Sequence, residues 1–217
     1  MHAICVAHTQ RECAKIFSLM DEVVLYILHT SLVKENYSFV LSFVDKKRIE
    51  KAERFVNEKD RLLCLGAGYL LKKYLPDEEP QTNENGKPYL LNGPCFNLSH
   101  SGEYVILGIH PSRDIGVDIE RIDNNKLDAI KFVLIGEEKD ITDRDSLFRI
   151  WTNKESLIKC TSKHLMDVRK ISGLPLEGVR NDCYSKSMIS NGYALSITLK
   201  GKETFTLNIN NVKNLGE

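Results

Sequence analysis

Asp118 and Glu120 stand two apart in the run Gly116-Val117-Asp118-Ile119-Glu120. In an extended chain, residues two apart share a face, so the two carboxylates point together while Val117 and Ile119 point into a core. About 6 Å apart, they repel by roughly 3 kcal/mol at an effective dielectric of 20, a cost that water or a cation must offset. For a lone Asp-x-Glu, a solvated strand edge is the commoner explanation. A second group is Trp151-Thr152-Asn153-Lys154-Glu155-Ser156-Leu157-Ile158-Lys159. At helical spacing Trp151, Glu155 and Lys159 form one stripe. An exposed Glu–Lys pair at that spacing contributes only a few tenths of a kcal/mol. This pair, however, shares its stripe with the chain's single Trp, which is expected to anchor the helix in the core. The carboxylates of Asp118, Glu120 and Glu155 suit a hard cation such as Mg²⁺ and leave positions for water and phosphate oxygens. Lys159 beside them would neutralise a diphosphate.

Asn97-Leu98-Ser99-His100-Ser101 closes a predicted strand. Neighbours on a strand face opposite ways and no G-x-S-x-G elbow is present, so Ser99 and His100 read as a phosphate-binding hydroxyl and imidazole rather than a nucleophile and its base. A satisfied turn is the plainer alternative. Gly86-Lys87-Pro88-Tyr89 sits at a loop–strand junction. Lys46, Lys47, Arg48 and Lys51 load the start of a helix with positive charge, which opposes its dipole. Phosphate binding explains that placement, and so does a solvated face.

These residues need strands and helices to bring them together. Val23–Leu28 reads as a strand, and Asp45 as the N-cap of a helix over Lys46–Phe55. A second helix covers Lys59–Tyr74, followed by a polar loop over 77–88. Short strands are predicted at Pro88–Leu91, Cys95–Ser99 and Tyr104–His110. The pattern restarts after a turn at 111–114 with a strand at Ile115–Arg121, then helices at Lys126–Leu134 and Ser146–Cys160. Tyr193–Leu199 and Phe205–Ile209 alternate in polarity and are expected to close the chain as an antiparallel pair. The order predicts an α+β protein of two pseudo-symmetric βααβββ-like halves, 20–112 and 113–217, with the site between them. Residues 1–19 are expected to be a peripheral extension. Equal totals of 30 basic and 30 acidic residues argue against a general nucleic-acid binder. Six cysteines without a C-x-x-C pair suggest neither zinc nor a disulfide framework. The expected setting is the cytoplasm, with no membrane association.

Taken in order, GKPY, NLSHS, GVDIE and WTNKESLIK resemble the 4′-phosphopantetheinyl transferase family, of the double-length surfactin-synthetase-activating type. The resemblance runs from about Met20 to Leu165. It implies a transferase that moves the phosphopantetheine arm of coenzyme A onto a serine of an acyl or peptidyl carrier protein and releases 3′,5′-ADP. It implies that Asp118, Glu120 and Glu155 hold Mg²⁺ on the diphosphate. Lys159 would contact that diphosphate, and Glu155 would take the serine proton, directly or through water. Ser99 and His100 would lie near the 3′-phosphate, Lys87 near the adenine end, and Arg48 and Lys51 would reach the 3′-phosphate. A site built between two halves of one chain implies a monomer. The chain departs from the family at Cys64, at Leu63, in the segment Lys131–Glu137, and at Ser162-Lys163-His164-Leu165, where two glycines are usual. Losing those glycines predicts a different turn. The alternative readings are a coenzyme A or carrier-binding homologue without turnover, and an unrelated Mg²⁺ phosphohydrolase.

Overall fold

A computed structural model describes residues 21–216. The expected extension over 1–19 lies outside the described residues. The chain opens with strand β1 (Glu22–His29), then two short helices, α1 (Thr30–Glu35) and α2 (Tyr37–Phe43). Helices α3 (Lys46–Glu53) and α4 (Glu58–Tyr74) follow, then the short strands β2 (Gln81–Thr82) and β3 (Pro88–Tyr89) and the longer β4 (Cys95–Ser101) and β5 (Tyr104–His110). After β6 (Ile115–Arg121) come α5 (Leu127–Phe132), α6 (Arg144–Thr161), the meander β7 (Glu177–Arg180), β8 (Cys183–Ser190), β9 (Tyr193–Lys200), and finally β10 (Thr206–Asn211). The architecture is mixed α and β.

Two four-stranded sheets carry the fold, ordered β10-β1-β5-β4 and β6-β9-β8-β7. The expected pairing of the last two strands is not made. β9 pairs antiparallel with β6 and β8, while β10 crosses to the first sheet and lies parallel to β1. The alternation in 205–209 does belong to a strand, β10, but β9, the nearest strand in sequence, is paired on both sides. β10 takes the open edge of β1, whose other side is filled by β5.

The sheets share a core in which Val23, Leu25 and Ile106 meet Val117, Ile119, Leu195 and Ile197. Helix α4 covers the first sheet with a run of buried residues from Leu62 to Leu70, Cys64 among them. Asn57 rather than a charged residue caps α4, its side chain accepting from Lys59 N at 2.9 Å. Asp45 does occupy the N-cap position of α3, yet its carboxylate makes no cap bond and pairs instead with Lys72 at 2.9 Å. Helix α6 lies across β6 and β9. Trp151 is partly buried between two apolar clusters, so the anchoring role expected of it is met from both sides. Among the described residues, no helix is long and apolar enough to cross a membrane.

Candidate active site

The site forms where the free edges of the two sheets meet. β4 and β6 run side by side but belong to different sheets, so their backbones do not complete a ladder. The side chains of every second residue on β4 replace it. Asn97 Oδ1 accepts from Val117 N at 2.9 Å, Ser99 Oγ from Ile119 N at 3.2 Å, and Ser101 Oγ from Arg121 N at 3.0 Å. Three backbone donors along the edge of β6, two of them buried, are thereby satisfied. The same hydroxyls then orient the acidic pair: Ser99 donates to Asp118 Oδ1 at 3.0 Å and Ser101 to Glu120 Oε2 at 2.7 Å. The NLSHS segment is therefore a strand throughout, not a turn, and its period of two matches the period of the edge it covers.

Helix α6 supplies the remaining parts. Its approach to β6 depends on Gly116: a Cβ there would overlap the backbone carbonyl of Ser156 and the amide of Cys160. Thr152 and Ser156, one turn apart, bond to Ser196 and Thr198 of β9 at 2.7 and 2.8 Å. With the helix so seated, Lys159 Nζ reaches Asp118 Oδ1 at 2.6 Å, Ser99 Oγ at 3.1 Å and Val117 O at 3.2 Å. Glu155 is 8% exposed, and its Oε1 has no hydrogen-bond partner among the described residues, nor does Asp118 Oδ2. Burial, then Asp118, and to a smaller degree Glu120, push the Glu155 carboxyl up to about 7 against the pull of Lys159. Burial likewise raises Asp118, opposed first by Lys159.

The structure thus brings Asp118, Glu155, Lys159 and Ser99 together. Glu120 lies at the same end but accepts from Lys126 at 2.6 Å, a partner that no pattern in the sequence marked. Among the described residues no three His, Cys, Asp or Glu gather as a metal-holding group. Each member of the acidic pair meets an ammonium group, Asp118 that of Lys159 and Glu120 that of Lys126.

A cleft of about 320 Å³ opens beside this cluster, lined by Gly86, Lys87, Asn97, Glu155, Lys159 and Lys163 among others. Lys87, just before β3, donates to Asp114 Oδ1 at 3.4 Å and to the carbonyl of Cys160 at 3.2 Å. His100, on the opposite face of β4 from Ser99, keeps an exposed edge, and partial desolvation and then Lys159 push its imidazole down. Arg48 and Lys51 stand apart from this group on α3, which packs against α4, and the Arg48 stem fills the space above Gly68. The turn after α6 differs from its expectation. Ser162 adopts the left-handed conformation at φ 52°, and the amide of Lys163 bonds Ile158 O at 3.1 Å. A serine makes the turn that a glycine makes at lower strain.

Asn97, Ser101 and Lys126 are site residues that sequence reasoning left out. The spacing 97, 99, 101 carried the signal for the first two.

The profile of the 4′-phosphopantetheinyl transferase superfamily matches residues 114–198, which contain β6 and α6. The chain is 30% identical over 161 residues to the 4′-phosphopantetheinyl transferase gsp of Aneurinibacillus migulanus, covering 66% of this chain and 67% of that one. It is 34% identical over 152 residues to the 4′-phosphopantetheinyl transferase ffp of Bacillus subtilis, covering 62% and 67%. To the 4′-phosphopantetheinyl transferase HetI of Nostoc it is 26% identical over 175 residues, covering 70% and 74%. The chain belongs to the 4′-phosphopantetheinyl transferase superfamily, and with the first two relatives to its surfactin-synthetase-activating type.

Proposed function

We propose that this protein transfers the 4′-phosphopantetheine group of coenzyme A to a serine of an acyl or peptidyl carrier protein. The observation that carries the reading is the pair of buried, unpartnered oxygens, Asp118 Oδ2 and Glu155 Oε1, both in the segment matched by the family and beside a lysine-lined cleft. Such oxygens are costly to bury and fit a hard cation. Mg²⁺, held by Asp118, Glu120 and Glu155, would neutralise the donor's diphosphate. Lys159 contacts that diphosphate. Glu155, with its carboxyl near 7, accepts the serine proton, directly or through water. The serine oxygen bonds to the phosphorus that carries pantetheine, the bond to the adjoining phosphate breaks, and 3′,5′-ADP leaves. Lys87 lies toward the adenine end, Ser99 and His100 toward the 3′-phosphate, and Arg48 and Lys51 are its outer basic residues.

The halves 20–112 and 113–217 are read as pseudo-symmetric. In support, the first strand of each pairs antiparallel with a later one, β1 with β5 and β6 with β9, and that strand pairs antiparallel with the one before it in sequence, β4 or β8. β10 is an addition to this scheme. Ser99 and Lys87 of one half bond to Asp118, Lys159 and Cys160 of the other, which favours a monomer with a complete site. We expect it to act in the cytoplasm.

Incubating the protein with coenzyme A, Mg²⁺ and several apo-carrier proteins should add a phosphopantetheine mass to at least one carrier. If well-folded protein modifies none of them, the reading fails.

Metal binding has its own test. The Glu155 carboxyl lies at about 7 in the folded protein against an ordinary 4.5, so between those values the folded state binds the extra proton. Metal-free stability is therefore fully present at low pH and falls as pH rises through this window, by up to about 3 kcal/mol. Asp118, also raised, adds in the same direction. Thermal melts in Mg²⁺ and in EDTA should then show a larger Mg²⁺-induced rise at pH 8 than at pH 5. An equal rise at both would take the metal away from these carboxylates.

A further inference from the structure

Next to Glu155 in sequence, Lys154 points away from the cleft into the protein. Its side chain is 0% exposed and its ammonium lies 2.6 Å from Glu138 Oε2, which is 1% exposed. The ammonium also donates to Val133 O at 2.7 Å. Glu138 is held in turn: its Oε2 accepts from Ile135 N at 2.8 Å, and its Oε1 accepts from Ser172 Oγ at 3.1 Å and from the amide of Gly173. Asn153 reaches the same loop, donating to Gly173 O at 2.8 Å and Pro175 O at 3.0 Å. The sequence reading ended this segment at Glu137, which is exposed; the buried partner is its neighbour.

A buried ion pair is a weak device for stability, since apolar groups of similar volume often do as well or better. Its geometry suits another task. Thr152 and Ser156 seat one side of α6 on β9. Lys154, two residues from each, lies on the far side of the helix, because successive residues turn by 100°. The helix is thus gripped on opposite sides at the turn that bears Glu155. A rotation of roughly 10° would move a side chain at a radius of about 5–6 Å by about 1 Å. A displacement of that size at a reacting group costs up to about 10²-fold in rate.

We propose that the Lys154–Glu138 pair is a positioning element for the transfer reaction, fixing the rotation of α6 and with it the place of Glu155. The inference rests on the reading of Glu155 as the proton acceptor. The test uses the full chain with the double substitution Lys154→Met/Glu138→Leu, which replaces the pair by apolar groups. The expected result is a melting temperature within a few degrees of the parent or above it, an unchanged KM for coenzyme A, and a kcat lower by about 10- to 100-fold. A kcat within twofold of the parent in folded protein overturns the proposal, since a purely structural pair would move the melting temperature and not kcat. If the double variant does not fold, Glu138→Gln keeps the shape and removes the charge, and a tenfold or greater fall in its kcat at constant KM is expected, with an unchanged kcat overturning the idea. Trp151, the chain's single tryptophan, lies one turn before Glu155 on α6 and reports its setting without turnover. Should the parent transfer nothing to any carrier, the functional reading fails on its own. Trp151 emission then decides the rest, a shift in the variant supporting the rotation and an identical spectrum excluding it.

Discussion

Alanine at position 118 is expected to lower transfer by about 10³-fold or more while leaving the melting temperature at or above that of the parent. The two effects separate because of where the carboxylate sits. Asp118 is buried, and burial raises its carboxyl despite Lys159 and Ser99, so the folded state holds this charge at a cost. Removing it relieves that cost and the repulsion of Glu155. Lys159 keeps Ser99 Oγ and Val117 O as acceptors, so its ammonium is not stranded. What is lost is one of the carboxylates proposed to hold the metal and the anchor that aims Lys159 into the cleft, together worth about 4 kcal/mol of transition-state stabilisation at 10³-fold. Carrier modification followed by mass, with a parallel thermal melt, reads both quantities. Near-normal activity in the variant would take Asp118 out of the site.

A loss of stability as well as activity is expected for Gly116→Ala, a change of one methyl group on the same strand. The added carbon would overlap the carbonyl of Ser156 and the amide of Cys160. These are backbone atoms of the last turns of a helix, so no rotamer change removes the clash, and α6 must lift from β6. That movement breaks the bonds from Thr152 and Ser156 to Ser196 and Thr198 and leaves buried hydroxyls unpaired. We expect a loss of about 3 kcal/mol or more, or roughly 10 °C in Tm for a chain of this size. Activity would fall with it, since Glu155 and Lys159 ride on the displaced helix. A melting temperature equal to the parent's would show that the strand and helix can part without cost. The pair of variants distinguishes a residue that acts at the cleft from one that only lets the helix reach it.

The elements that were legible had a single dominant signal. Tyr104–His110 and Ile115–Arg121 coincide with β5 and β6 because each is a run of β-formers bounded by turn residues. Helix α4 differs from its expected span by one residue at its start, where Asn57 caps it. Helices α1 and α2 were missed because they are short, break at Asn36, and mix aromatic and β-branched residues. Strand β8 was missed for a different reason. Its inward residues include Ser185 and Ser187, so the buried face shows no hydrophobic alternation. Those hydroxyls are satisfied by Thr198 and Ser196, partners that exist only once β8, β9 and α6 are assembled.

The site divides in the same way. The sequence by itself determined which groups could do the chemistry, because period two on a strand and period 3.6 on a helix fix which side chains share a face. Asp118 with Glu120, and Glu155 with Lys159, are pairs of that local kind. The tertiary structure decided which of them meet. Ser99 joins Asp118 rather than standing free, Glu120 leans on Lys126, and Lys154 turns inward to Glu138. It also decided that Asn97, Ser99 and Ser101 serve the edge of β6 before anything else. These choices depend on backbone groups left unpaired where two sheets meet and on how close a helix can come to a glycine. Such needs arise only between segments distant in the chain, so no local pattern records them.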